Sequence, residues 1–270
     1  MEKEFSLKLC FSTLGCPEWN IGEIVKNAKK FKINGVELRG NKRQHISPVF
    51  SREERSQVKE IFMKNSLEIA CISAYTHFSM ESISERLKNE EILIDFVELA
   101  KDVNCGYVRT FIGEIPFADI DIAYDYIAQS LNRLGKKIDN TGITVLIENH
   151  DQLCTGKLLK PLLDRINNKC IGILWDMANS FQAGETIEET YSFFGKHIKH
   201  VHLKDFNKEA GGGFVHCLPG EGIMPIKNCS KLLLANGYEG YFSLEWEKMW
   251  YPEIPSIEEA LRAYNGLLVY

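Results

Sequence analysis

The 270-residue chain is notable first for what it lacks. No apolar run approaches the roughly 20 residues that a membrane-spanning helix needs. No G-x-G-x-x-G follows an early strand-like segment and no P-loop is present, so the usual backbone cradles for nucleotide phosphates are missing. Lysine and arginine form no block: 32 of them stand against 37 Asp and Glu, a net charge of -5. Nucleic-acid grooves depend on clustered cations, so that class of partner is excluded and a small polar ligand is expected instead. The eight cysteines include no C-x-x-C pair, and several lie in apolar runs such as residues 7–11 and 69–72. They read as reduced core thiols of a cytoplasmic protein. The start, Met1-Glu2-Lys3-Glu4, mixes charges of both signs and does not suit a secretory signal. No linker rich in Pro, Ser and Gly divides the sequence, and a chain this long can bury about three-quarters of its unfolded surface. A single domain over residues 1–270 is expected.

What is present is a repeated alternation. Short apolar or β-branched runs near residues 7–13, 35–39, 69–77, 107–113, 143–150, 171–179, 198–205 and 241–247 alternate with amphipathic stretches. Ile21, Ile24, Val25, Ala28 and Phe31 recur at helical spacing, and Ser51-x-x-Glu54 has the form of a capping box. A second stripe runs through Ile92, Phe96, Leu99 and Val103, and later helices are expected at 122–139, 158–166, 187–194, 226–235 and 256–268. Eight such units average about 34 residues each, which fits an α/β fold of the (β/α)8, or TIM, barrel type. Gly211-Gly212-Gly213 falls in the long connection after the seventh strand, where a mobile loop is expected.

In such a barrel the ligand site lies at the C-terminal ends of the strands. Four successive strands end in metal-ligand types: Glu148 in Ile147-Glu148-Asn149-His150, Asp176 in Trp175-Asp176, His202 in His200-Val201-His202-Leu203-Lys204-Asp205, and Glu245 in Ser243-Leu244-Glu245-Trp246-Glu247. Three carboxylates and an imidazole brought to one point repel unless a cation sits among them. Mostly oxygen donors with one nitrogen suit Mn²⁺, Mg²⁺, Co²⁺ or Zn²⁺.

Together with Phe11-Ser12-Thr13-Leu14-Gly15-Cys16-Pro17, Gly35-Val36-Glu37-Leu38-Arg39 and Pro219-Gly220-Glu221-Gly222, these segments resemble the xylose isomerase-like superfamily. It comprises sugar phosphate isomerases and epimerases and shares its barrel with apurinic endonucleases of the endonuclease-four type. The resemblance implies one divalent metal held by Glu148, Asp176, His202 and Glu245. It also implies that Glu148 and Glu245 are the acid/base pair acting beside a chelated carbonyl of a small carbohydrate, through an enediolate. Two positions depart from many keto-sugar epimerases. Asn179 stands where a second histidine often contacts substrate, and the loop after the seventh strand has no clear arginine, with Lys208 as a stand-in. A dehydratase of the inosose or dehydroshikimate kind begins with the same proton abstraction and stays open. An apurinic endonuclease needs more histidines than the seven present and a basic face, and a sugar-binding barrel without turnover does not need a complete ligand set.

Other candidates have two readings each. His77 and His150 close the third and fifth strands and contact either substrate hydroxyls or loop backbone. Glu37 and Arg39 end the second strand, as substrate and anion contacts or as a rim ion pair; Arg109 and Thr110 end the fourth with the same ambiguity. Lys204 and Asp205 lie beside His202, where the lysine either holds a developing oxyanion or forms a rim salt bridge. His200 shares the face of His202 one layer deeper and reads as a core residue. Trp175 and Trp246 alternate with ligands and should face the helices. The aromatic segment 248–255 either walls the pocket or meets another subunit in a homo-oligomer.

Overall fold

The computed structural model describes residues 7–41, 45–116 and 119–268, so the mixed-charge residues 1–4 lie outside the described residues. The strands, in chain order, are β1 (Lys8–Ser12), β2 (Gly35–Arg39), β3 (Glu68–Ser73), β4 (Tyr107–Thr110), β5 (Thr144–Glu148), β6 (Ile171–Asp176), β7 (Ile198–Leu203), β8 (Asp205–Lys208), β9 (Phe214–Cys217) and β10 (Tyr241–Leu244). Eight of them close into a parallel barrel in the order β1-β10-β7-β6-β5-β4-β3-β2, while β8 and β9 form a separate antiparallel hairpin. The helices are α1 (Ile21–Lys30), α2 (Arg52–Lys64), α3 (Ile83–Asp102), α4 (Ile120–Ile138), α5 (Gly156–Arg165), α6 (Met177–Gln182), α7 (Ile187–Phe194), α8 (Ile226–Ala235) and α9 (Ile257–Leu268).

Alternation along each strand separates two interiors. Val36, Leu38, Val108, Val145, Ile147, Ile173, Trp175, Val201, Phe242 and Leu244 join the apolar layer between strands and helices. Trp175 meets Phe194 of α7 edge-on, with ring centroids 6.4 Å apart, so it faces a helix. Inside the barrel, Cys10, Ala70 and Tyr241 form a small apolar floor. Above it the filling turns polar, with Glu37, His200 and Ser243 all fully buried. Capping boxes start four helices: Asn20 with Glu23, Ser51 with Glu54, Thr186 with Glu189, and Ser256 with Glu259.

The eight expected barrel strands are present, each ending before its expected C-terminal limit or at it, because the polar residues beyond belong to the site loops. α3 begins nine residues before its apolar stripe, capped by Ser82 onto the Glu85 N–H. Two elements were not anticipated. After β6 the chain turns at once into α6, with Asp176 as N-cap. The glycine stretch is the turn of the β8–β9 hairpin, closed by Glu209 N–H donating to Gly213 O at 2.9 Å. Asp205 ties the base of this hairpin to the following loop by accepting from the N–H groups of Phe206, Gly220, Gly222 and Met224 at 2.8 to 3.1 Å. A Cβ at position 222 would lie 2.1 Å from Asp205 Oδ1, so only glycine lets the loop approach this closely. All eight cysteines are free, six of them buried. Among the described residues no helix is long and apolar enough to cross a membrane.

Candidate active site

Glu148 closes β5, Asp176 closes β6, His202 lies in β7 and Glu245 follows β10 directly. One donor atom from each lies within 4.8 Å of the other three, and all four residues are buried. Each is aimed by its neighbours. Asp176 Oδ1 accepts from Ala178 N–H at 2.9 Å and Asn179 N–H at 3.2 Å, which leaves Oδ2 for the cluster. Asn149 braces the β5 and β6 ends, accepting from Asp176 N–H at 2.7 Å and donating to Asp176 O at 2.9 Å and Cys154 O at 2.6 Å. His202 Nε2 lies 2.8 Å from Glu37 Oε2, so Nδ1 faces Glu245 Oε1 at 3.3 Å and Glu148 Oε1 at 3.9 Å. This carboxylate–imidazole pairing is how metal-ligating histidines are commonly oriented.

Glu37 is enclosed beneath the cluster. It has no exposed surface, and its oxygens are taken by His202, by His200 Nε2 at 2.9 Å, by Ser243 at 3.2 Å and by the Ser73 hydroxyl. Asn179 sits on α6 and donates its amide to Asn149 O at 3.0 Å, an anchoring bond. His77 lies four residues beyond β3, exposed and outside the four-donor cluster. His150 is half-buried at the mouth, its ring tilted at 57° against Phe111 with centroids 4.9 Å apart and Nδ1 2.8 Å from Asp151 Oδ1. Lys208 stays on the hairpin over the Phe214 ring, 6.0 Å from its centroid.

Lys204 reaches into the cluster. Its Nζ donates to Glu245 Oε2 and to Glu247 Oε1, each at 2.6 Å, and lies 2.8 Å from Asp176 Oδ2 at an angle poor for a directed bond. Arg109 lies 3.3 Å from Glu148 Oε2 through Nη1, again without hydrogen-bond alignment. Sequence reasoning missed Asn149, Glu247, Tyr75 and His216. The last comes from β9, packs on Phe206 at 4.4 Å and Tyr251 at 4.6 Å, and places Nε2 3.1 Å from Glu247 Oε2. The segment after β10 folds over the mouth: Trp250 lies over the Arg39 guanidinium and Tyr251 against His216.

The electrostatics follow from crowding. Burial raises Glu148, offset only in part by Arg109, and likewise raises Asp176 against the pull of Lys204. For Glu245, burial is outweighed by His202 and Lys204, which hold it well below the usual carboxylate range. Burial alone would lower His202, yet Glu245 and Glu37 hold it well above the ordinary imidazole value. A divalent ion among these groups would pull the carboxylates down and keep the imidazole neutral. The residues fit such an ion. Glu148 Oε2, Asp176 Oδ2 and His202 Nδ1 are buried and make no hydrogen bond, although buried polar atoms are normally satisfied. They converge with Glu245 as an oxygen-rich donor set.

The model of the xylose isomerase-like TIM barrel family matches residues 25–267. The chain belongs to this family. A fructoselysine 3-epimerase of Shigella flexneri is 21% identical over 97% of this chain and 98% of its own length. An inosose dehydratase of Bacillus cereus is 22% identical, covering 92% of each chain. The solved structure of the IOLI protein with a binding zinc atom superposes with a TM-score of 0.80 at 16% identity, covering 97% of both chains. At that identity the likeness is one of fold.

Proposed function

We propose that this protein is a divalent-metal-dependent isomerase or epimerase of a keto-sugar, sugar phosphate or related small hydroxyketone. The observation that carries this reading is the convergence of four buried donors from four strands, three with unbonded atoms. Mn²⁺, Mg²⁺, Co²⁺ or Zn²⁺ held by Glu148, Asp176, His202 and Glu245 would polarise a carbonyl and make the neighbouring C–H more acidic. Glu37 and Asn149 keep the imidazole and the Asp176 backbone in register. Glu148 and Glu245 approach from opposite flanks of the cluster; one removes the proton and the other returns it to the opposite face or the adjacent carbon. Lys204, bonded to Glu245 and Glu247, keeps the Glu245 carboxyl in place and adds positive charge beside the reacting carbon. The segment carrying Met249, Trp250 and Tyr251 shields this exchange from water.

The acting unit is one domain over residues 1–270, since donors separated by almost a hundred residues make one site. Free thiols suit a reducing cytoplasm. The similarity to an inosose dehydratase favours a second reading, in which the abstracted proton is followed by loss of a β-hydroxyl. Solvent deuterium incorporation followed by NMR, over keto-sugars, inososes and hydroxypyruvate, tests both. Deuterium beside the carbonyl of recovered substrate or its epimer is the expected result; water loss with a new C=C bond supports the dehydratase. Absence of exchange on every compound with metal-loaded protein overturns the proposal.

A further inference from the structure

The buried ammonium of Lys204 stands among three carboxylates, and the four-donor set includes two of them, Asp176 and Glu245, but not Glu247. Its directed bonds run to Glu245 Oε2 and Glu247 Oε1, each at 2.6 Å, while Asp176 Oδ2, 2.8 Å away, is left without a hydrogen bond. The other oxygen of Glu247, Oε2, lies 3.1 Å from His216 Nε2. This imidazole comes from β9 of the hairpin and is almost enclosed, its side chain 6% exposed. The rings of Phe206, Tyr251 and Trp246 surround it, with centroids at 4.4, 4.6 and 6.1 Å. Its Nδ1 is buried and makes no hydrogen bond, so the polar hold on this ring is through Nε2 and Glu247. Asp205, paired with Cys217 at the hairpin base, accepts four backbone N–H groups and fixes the arm that carries His216.

We propose that His216 is a positioning residue of the active site. By holding Glu247 it gives Lys204 an anchor outside the donor set, so that the ammonium stays beside Glu245 and leaves Asp176 Oδ2 to the cation. An ammonium and a divalent ion compete for the same carboxylate oxygens, and a lysine this deeply buried must pair with a carboxylate wherever it turns. If Glu247 rotated away, the nearest remaining acceptors would be Asp176 Oδ2 and Glu245, which belong to the donor set. Packing alone does not call for a nitrogen aimed at a carboxylate, since a phenylalanine ring would serve between Phe206 and Tyr251. The role rests on the metal centre of the proposed function and extends the site to the β8–β9 hairpin.

Mn²⁺ affinity, measured by chelator competition in a double-mutant cycle, tests this role without recourse to turnover. His216→Phe keeps a ring and removes the bond to Glu247. It should weaken Mn²⁺ binding about tenfold, on the scale of losing an outer partner of a metal ligand. His216→Gln, whose amide donates from a similar position, should recover most of that loss; a loss as large as in His216→Phe would overturn the bond as its cause. The deciding comparison is on a Lys204→Met background, where no ammonium competes and His216→Phe should leave Mn²⁺ affinity unchanged. An equal loss with and without Lys204 would make His216 merely structural and overturn the proposal. If His216→Phe fails to fold, Glu247→Gln is carried through the same cycle. Its loss should be larger in the presence of Lys204 than on the Lys204→Met background, and equal losses overturn the role. A parent protein that binds no Mn²⁺ would refute the metal centre and this role together, whereas parental affinity in His216→Phe would refute the role of His216 alone.

Discussion

Glu37 Oε2 holds His202 Nε2 at 2.8 Å from beneath, and this single contact decides which imidazole nitrogen faces the barrel mouth. Because His200 and Ser243 also bond Glu37, the carboxylate is fixed from three sides and cannot follow the histidine if it rotates. Glu37→Gln should therefore keep the fold but weaken Mn²⁺ or Zn²⁺ binding by about 10- to 100-fold, the usual cost of losing an orienting partner behind a metal ligand. Competition against a fluorescent chelator measures it. Parental affinity in the variant would mean that Nδ1 is aimed by something else.

Asp176 has two tasks that substitution can separate. Oδ1 caps α6, while Oδ2 points into the cluster. Asp176→Asn retains a capping acceptor and should lose metal with little change in melting temperature. Asp176→Ala should lose metal and in addition about 1 kcal/mol of stability, the typical value of an N-cap. His202→Ala should lose metal as well. Metal content by mass spectrometry and thermal melts read the two effects independently, and a full metal complement in Asp176→Asn and His202→Ala would contradict the ligand assignment.

The strands were legible because their outward faces bury β-branched and aromatic residues at every second position, and the helices because apolar spacing and caps agreed. The donors could be placed because a strand end in a barrel has a known location. Glu37 kept two readings for a definable reason: alternation shows that it points inward but not how deep it sits, and the depth that puts it against His202 comes from the fold. The β8–β9 hairpin was hidden because its glycine turn resembles a mobile loop; the paired runs on either side, Asp205–Lys208 and Phe214–Cys217, were the available signal. His216 and Tyr75 reach the mouth through tertiary packing, which no spacing rule reports.

Thr186 and Glu189, at the start of α7, give a pH-dependent contribution of their own. Hydrogen bonds from the Thr186 N–H and hydroxyl, at 2.9 and 2.8 Å, hold the Glu189 carboxyl below its ordinary value. A depressed carboxylate stabilises the folded state above its unfolded pKa and loses that contribution as pH falls through the folded value. Melting temperature should thus decline on acidification below about pH 4.5, and Glu189→Gln, which caps without titrating, should decline less. Parallel melts between about pH 6 and pH 3 make the comparison; identical slopes would show that this cap carries no linkage.

Glu148 and Glu245 are adjacent to the same point but differ in company. Arg109 stands beside Glu148, whereas Lys204 and His202 stand beside Glu245. They come from β5 and β10, which flank β6 and β7 in the barrel order, so they meet a sugar held between them from opposite sides. Glu148→Gln and Glu245→Gln preserve size and an oxygen donor while removing basicity. Each should retain measurable metal and ketose binding yet lose about a hundredfold or more in turnover, the scale of a general acid–base contribution. The two should also differ in kind. The variant lacking the base should stop deuterium exchange into substrate, whereas the variant lacking the returning acid should still exchange the abstracted position while net epimerisation fails. If a Gln variant with normal metal content exchanged the C–H proton and turned over at the parental rate, that glutamate would serve only as a ligand. The proton would then be carried by another group, with Lys204, bonded within the cluster, the next candidate.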